Sequence, residues 1–438
     1  MELVKIKDLN KFFDKEVIIH GFIENIRNLQ YVIFIILKDE TGKIQVTIEK
    51  EDENNKDLVK LFDNLMTEST IKVKGKVLEN SKVKLNGMEI IPNDIVVTSE
   101  NKEELPFNYK DLNNVNIDTR LDYRYIDLRN EKNKLIIQIR SSLIRYLRDY
   151  LINKNFTEIN TPKLIGAASE SGSEVFEVKY FDRKAYLAQS PQFYKQMAMA
   201  AGFGSIFEVS SVFRAENSNT SRHATEFTSF DVETSYIDSY HDIMNLESEM
   251  IKYAFNKLDI EYKDKLKDIF NVEIKIPEDI PKLTLSEVYE KLEEKYNYKV
   301  DDSEKTDLTR EAEKLLGKLA LDLYKSDFIF VTDYPADKRA FYHMRDENNI
   351  LLGYDLYFRG VEITTGAQRE HRFEEVVKNA KEKNLEEDVK FYLEFFKHGC
   401  PPHGGFGLGI DRVIMILLNI DSVKEVQFLF RGPNRLTP

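Results

Sequence analysis

Tryptophan is absent from the 438 residues and cysteine occurs once. A single cysteine closes no internal disulfide and cannot build a Cys-based zinc site. The longest purely apolar run, Tyr31 to Leu37, has seven residues, far short of the ~20 that a membrane-spanning helix needs. The opening MELVKIKDLN has no apolar core, so no secretory signal is read and a cytoplasmic location without membrane attachment is expected. Internal repeats and long low-complexity tracts are missing as well. Positive charge is the scarcer sign: 63 Lys+Arg stand against 76 Asp+Glu, a net charge of −13. Taken as a sum, that disfavours a nucleic-acid partner. With 42% hydrophobic and 32% charged residues, the chain suits a globular protein of two or three domains.

The charge is unevenly spread. Residues 1–105 carry 16 Lys+Arg and 20 Asp+Glu, yet Ile71–Met88 holds five lysines (Lys72, Lys74, Lys76, Lys82, Lys84) against Glu79 alone. A local +4 can meet phosphates even on an acidic chain. Residues 1–105 also hold five segments rich in Val and Ile: Glu16–Glu24, Tyr31–Lys38, Lys43–Lys50, Thr70–Leu78 and Met88–Val97. Turn signals such as Asp39–Gly42 and Asn86-Gly87 separate them, and a helical pattern, Lys56–Met66, falls between the third and fourth. The pattern fits a small Greek-key barrel of the OB type or a generic five-stranded β-domain. Residues 106–130 are polar and aperiodic, as in a linker. In Lys134–Lys154, Ile136, Ile139, Leu143, Leu147 and Leu151 recur at helical spacing. From 131 to 438, strands and helices alternate without a repeated βα unit, which predicts an α+β domain on an antiparallel sheet with flanking helices. Residues 255–330 read as a small, charged, mostly helical insertion.

Three stretches carry candidate chemistry. In Phe213-Arg214-Ala215-Glu216, an Arg and a Glu two apart on one strand would project to the same face. The guanidinium could clamp a phosphate while the carboxylate accepts from an amino group. Gly404–Arg412 (GGFGLGIDR) leads into an apolar helix, but it is neither a GxGxxG fingerprint, since no βαβ unit surrounds it, nor a P-loop. Asn155–Pro162 (NFTEINTP) reads as a strand closed by proline.

In this order the three resemble the signature motifs of class II aminoacyl-tRNA synthetases. Gln189–Gln196 (QSPQFYKQ), Phe227–Ser235 (FTSFDVETS), Arg359–Arg372 (RGVEITTGAQREHR) and the closing RLTP resemble the aspartyl members of the archaeal and eukaryotic branch. The resemblance covers essentially the whole chain and favours the OB reading of residues 1–105. It implies ATP-dependent activation of L-aspartate, transfer to tRNA(Asp) with tRNA(Asn) as a second candidate, a homodimer joined through the first motif, and Mg²⁺ bound with ATP.

Residue by residue, the resemblance implies Arg214 and Arg412 as the catalytic arginines. The ATP site would comprise Arg214, Ala215, Glu216, Arg222, His223, Ala224, Glu362, Gly409, Ile410, Asp411 and Arg412. Glu170, Gln192, Phe193, Tyr194, Lys195, Arg214, Thr365 and Arg369 would bind aspartate, with Asp231 steadying Lys195. Glu362 and Thr365 would hold the metal. Arg27, Phe34 and Gln45 would contact the anticodon. Phe22 and Glu24 depart from the family pattern, which carries Trp at the first position and Trp or His at the second; Asp411 replaces Glu. Two rivals differ in their marks. An asparaginyl enzyme should lack Lys195 and the Pro of QSPQ, and an inactive tRNA-binding paralogue should have lost Arg214, Glu216 or Arg412.

Overall fold

The computed structural model describes residues 3–166, 175–218, 220–276, 278–301 and 303–438. The chain divides into two compact units, Met1–Asn108 and Tyr109–Pro438.

In the first unit β1 (Glu16–Asn28), β2 (Val32–Lys38), β3 (Lys43–Glu49), β4 (Thr70–Glu79) and β5 (Met88–Ser99) close into a barrel in the order β1-β2-β3-β5-β4. Only the β3–β5 pair is parallel among them. Period-two alternation sends Ile33, Ile35, Leu37, Ile44, Val46, Ile71 and Val73 inward, all fully buried. β1 runs four residues past its expected end at Glu24. A bulge between Ile23 and Asn25 shifts the phase of the alternation, so the pattern breaks while the strand continues. The helix covers only Lys56–Leu61, because Asp63 and Asn64 follow, residues that favour turns.

The second unit is built on eight strands: β6 (Thr157–Glu158), β10 (Ser205–Phe213), β11 (Glu226–Ser235), β12 (Lys282–Thr284), β13 (Phe328–Thr332), β14 (Gly353–Phe358), β15 (Val361–Arg369) and β16 (His403–Gly409). β7 (Leu164–Ile165), β8 (Glu177–Tyr180) and β9 (Arg183–Leu187) form a small separate sheet. The large sheet has the order β12-β13-β14-β15-β16-β11-β10-β6. It is antiparallel throughout its centre, as expected, and parallel only at its two edges. The helices Glu131–Asn153 and Tyr240–Phe270 cover one face, packing Ile136, Ile139, Leu143, Ile251, Phe255 and Leu258 against Phe207, Phe230, Val232 and Phe406 in one core. The alternate residues of the same strands face the opposite side, where the pocket lies.

Residues from Tyr109 onward belong to the second unit. The segment that reads as a linker holds the helices Ile117–Asp122 and Arg124–Asp127, with Leu121 and Ile126 buried. Arg124, 2% exposed, gives its guanidinium to Asp127 and to the carbonyls of Glu425 and Gln427. Those long-range partners are invisible to local periodicity. Residues 255–330 likewise supply the end of the helix Tyr240–Phe270, the edge strand β12 and two helices packed on β13.

Candidate active site

β10, β11, β15 and β16 line a cavity of about 420 Å³. Its closed end is a cluster of buried charge. Helix Gln192–Ala200 turns Gln192, Lys195 and Gln196 to one face, and Lys195 is 1% exposed. The Lys195 ammonium lies 2.9 Å from Asp231 Oδ1 and 3.4 Å from Glu233 Oε2. It also donates to the Val232 and Phe406 carbonyls at 3.4 and 3.3 Å. Arg369 Nε donates to Glu233 Oε1 at 3.0 Å, and its Nη2 to the Gly405 carbonyl at 3.0 Å. Ser229 donates to Asp231 Oδ2 at 2.6 Å. Two cations thus balance two carboxylates. Burial alone would raise the Glu233 carboxyl, but Arg369, Lys195 and His403 hold it below its ordinary value. Glycine is required at 405 because a methyl there would overlap the Val232 carbonyl and the Glu233 carboxylate.

The open end carries less buried cations. Arg214, with 47% of its side chain exposed, lies 3.9 Å from Glu216 and 5.5 Å over the Phe227 ring. β10 ends at Phe213, so Arg214 and Glu216 stand in the loop beyond the strand and are adjacent through the turn rather than through strand alternation. Arg412 occupies the first turn of helix Ile410–Leu417 and donates to the Glu362 carbonyl at 3.0 Å. His223, hydrogen-bonded to Thr220, is lowered by burial and then by Arg412. Arg222 reaches Glu313 at 2.9 Å, so a segment read as an insertion supplies the partner of a pocket arginine.

Between the two ends, Thr365 Oγ1 donates to Glu362 Oε1 at 3.3 Å, and Arg412 stands 3.9 Å from the same oxygen. Burial in the pocket wall, then the negative charge of Asp355, raises the Glu362 carboxyl. Asp355 itself is paired with Arg339 at 2.8 Å. These are hard oxygen donors with charge left to neutralise, which suits a divalent cation whose remaining ligands are phosphates and water.

Of the residues expected here, Gln192, Lys195, Arg214, Glu216, Arg222, His223, Ala224, Glu362, Thr365, Arg369, Gly409, Asp411 and Arg412 all line this one cavity. Phe193 and Tyr194 do not. A helical step of about 100° turns them from the face that carries Gln192 and Lys195, and Phe193 packs 4.6 Å from the Tyr392 ring instead. Ala215 is not in the lining, and the Ile410 side chain is buried in the core. Asp411 lines the cavity but is held by Arg140 at 2.8 Å and Gln427 at 2.7 Å. Glu170 lies outside the described residues. Sequence inspection missed Glu233, Asp355 and Glu313. Glu233 was within reach, since it stands two from Asp231 on one strand; the other two arrive from distant segments and left no signal.

On the barrel, Arg27 of β1 is the register partner of Phe34 in β2. Phe34 opposes Thr47, and Ile36 opposes Gln45. Arg27, Phe34 and Gln45 therefore share the outer face. Gln45 Nε2 donates to Thr47 at 3.1 Å and to Glu89 at 3.3 Å. Glu24 pairs with Lys43 at 3.1 Å.

Among the described residues no helix is long and apolar enough to cross a membrane. Residues 116–431 match the family model of tRNA synthetases class II (D, K and N), and residues 17–98 match that of the OB-fold nucleic acid binding domain. The chain is 40% identical to an aspartate–tRNA(Asp/Asn) ligase of Aeropyrum pernix, over 95% of this chain and 94% of that one. Its structure is similar to an aspartyl-tRNA synthetase from Entamoeba histolytica (TM-score 0.88, 31% identity, 100% and 93% of the two chains). An asparaginyl-tRNA synthetase from Pyrococcus horikoshii, complexed with asparaginyl-adenylate, has the same TM-score at 27% identity and covers 100% of both chains. The backbone is thus common to both specificities; the family match places the chain in class II and the 40% relative decides between the two: the chain belongs to the aspartyl-tRNA synthetases, class II aminoacyl-tRNA ligases with an N-terminal OB-fold domain.

Proposed function

We propose that this chain joins L-aspartate to ATP as aspartyl-adenylate and passes the aspartyl group to the 3′-hydroxyl of the terminal adenosine of tRNA(Asp). The buried Lys195–Arg369 pair is the observation that carries the assignment of the amino acid. An incoming side-chain carboxylate meets two cations already held rigidly in place, whereas a carboxamide would present N–H groups to N–H groups. Sites built around one polar group reject analogues by roughly 10⁴–10⁵-fold.

The α-carboxylate is already ionised near neutral pH, so activation needs alignment and positive charge rather than a base. A carboxylate oxygen attacks the α-phosphorus, the bond to the bridging oxygen breaks, and pyrophosphate leaves. Arg214 holds the α-phosphate and the reacting carboxylate, Glu216 accepts from the adenine, and Arg412, Arg222 and His223 contact the nucleotide's phosphates and far end. Gln192 meets the substrate ammonium. Glu362 and Thr365 would hold Mg²⁺, which supplies neutralisation of the phosphate charge. In the second step the tRNA hydroxyl attacks the acyl carbon and AMP leaves. Arg27, Phe34 and Gln45 on the barrel take the anticodon.

Charging purified aspartate and asparagine tRNAs in parallel with radiolabelled aspartate tests this. Label on tRNA(Asp) is expected. Label on tRNA(Asn) as well would assign the wider specificity in the name of the Aeropyrum pernix relative, and label on neither would overturn the proposal. The segment 155–162 would lie in a two-fold interface, so sedimentation should show a dimer at micromolar concentration.

A further inference from the structure

Behind the aspartate end of the pocket, a chain of uncharged hydrogen bonds runs from a main-chain carbonyl to Gln192. Its first member has only one way to bond. His403, fully buried at the start of β16, places Nδ1 2.8 Å from the Pro401 carbonyl. A carbonyl oxygen accepts and never donates, so Nδ1 carries the proton and Nε2 of the neutral ring is an acceptor. Gln196 Nε2, 3.0 Å away, donates to it. That choice fixes the other end of the same amide: Gln196 Oε1 accepts from the Tyr392 hydroxyl at 3.1 Å and from Gln192 Nε2 at 3.0 Å. Gln192 and Gln196 are four apart on one helical face, which makes the last bond geometrically natural. All the side-chain members are buried, where an unmatched donor or acceptor is costly.

The polarity of each bond is therefore dictated by the one before it. Gln192 reaches the pocket with one N–H of its amide given to Gln196, which sets its oxygen on the other side of the amide as the acceptor it has to offer. A substrate ammonium group only donates, so the oxygen is the end it can use. With the amide reversed, N–H would face N–H.

We propose that Gln196, His403 and Tyr392 are positioning residues that fix the Gln192 amide with its oxygen toward the ammonium group of the amino acid. The proposal rests on the role given above to Gln192. The polarity is robust because burial pushes His403 down to about 4, with Arg369 and His371 adding to the effect and Glu233 and the Pro401 carbonyl opposing it. At neutral pH the ring stays an acceptor. Cys400 Sγ, 3.7 Å from Nδ1, is on the accepting side and leaves the direction unchanged.

Gln196→Met keeps the side-chain size and removes both ends of the relay. In aspartate-dependent ATP–pyrophosphate exchange it should raise the aspartate KM by roughly 10–100-fold, the worth of one hydrogen bond to a charged group, and leave the ATP KM unchanged. Succinate keeps both carboxylates of aspartate but lacks the ammonium, so its inhibition constant should move less than about twofold. Tyr392→Phe removes one of the two bonds to Oε1 and should raise the aspartate KM about threefold. If Gln196→Met does not fold, the same succinate comparison on Tyr392→Phe decides. In a Gln192→Ala background, Gln196→Met should add nothing. An unchanged aspartate KM in Gln192→Ala alone would remove the role of Gln192. A raised KM there with no effect of Gln196→Met, or equal weakening of succinate and aspartate, would overturn the relay.

Discussion

The closed end of the pocket and the outer face of the barrel both offer cations and flat side chains, but they hold them differently. Lys195 and Arg369 are almost wholly buried, each tied to Asp231 or Glu233 within 3.0 Å. Arg27 is exposed and Phe34 only half-buried, on a face whose lysines stand in solvent or in surface pairs such as Lys76–Asp14. In a water-poor site a rigid charge is strong and its loss is expensive. On a solvated face each contact contributes modestly, salt weakens it, and the sum does the binding. One arrangement suits a small substrate that must be told from its amide; the other suits a long polyanion.

Three substitutions probe this contrast, beginning with the largest effect. Lys195→Met should lower aspartate-dependent pyrophosphate exchange by on the order of 10³-fold while ATP binding survives. It should also destabilise the fold by about 3–5 kcal/mol, because Asp231 and Glu233 lose a partner. Normal exchange in this variant would refute the assignment.

Next comes burial without a partner cation. Glu247, on the helix Tyr240–Phe270, is fully buried behind the sheet and accepts from the Tyr354 hydroxyl at 2.6 Å. Burial raises its carboxyl from 4.5 to about 7, with the Tyr354 and Thr364 hydroxyls pulling the other way. The folded state therefore binds this proton more tightly than the unfolded chain. Stability falls as pH rises from 4.5 to 7, and the loss is complete above that window. Glu247→Gln should match the parent near pH 4 and exceed it at pH 8 by about 3 kcal/mol, read from denaturant unfolding at the two values. A pH-independent difference would falsify the sign.

The smallest effect belongs to the barrel. Phe34→Ala should raise the tRNA KM by roughly 10–100-fold, equivalent to about 1–3 kcal/mol of stacking, and leave pyrophosphate exchange untouched. An equal loss in both reactions would show that Phe34 supports the fold rather than the tRNA.

Much of this was legible in the sequence, for identifiable reasons. The five barrel strands are visible because Val- and Ile-rich runs, alternating clearly in β2 and β4, are set apart by turn residues. The bulge at Ile23–Asn25 hid the end of β1, since one extra residue inverts the phase. The cations that line the pocket were singled out because Lys195, Arg214, Arg369 and Arg412 sit inside long matching motifs, not because of any property of a lone Lys or Arg. What remained hidden was whatever depends on contacts distant in sequence. Arg124 looked like part of a linker, yet its carbonyl partners lie about three hundred residues on. Glu313 sat unremarked in the segment read as a charged, mostly helical insertion, and folding placed it beside Arg222. Phe193 lies outside the cavity lining for the opposite reason: a neighbour of pocket residues in sequence need not share their helical face. The net charge misled in the same way. An average over the chain describes no particular surface, and the lysines of β4 project outward on a barrel whose total is negative.

The closure of that barrel has a consequence for how its specificity can change. A sheet with open edges offers main-chain groups to a partner, and those groups are the same whatever the side chains are. A closed ring of five strands leaves no strand with a whole open edge, so recognition on its outer face is written mainly in side chains. Single substitutions at outward positions, such as Glu24 beside Lys43, can then retune which nucleic acid is preferred while the hydrogen-bond ladder stays intact. The domain is a surface on which preference can drift faster than architecture.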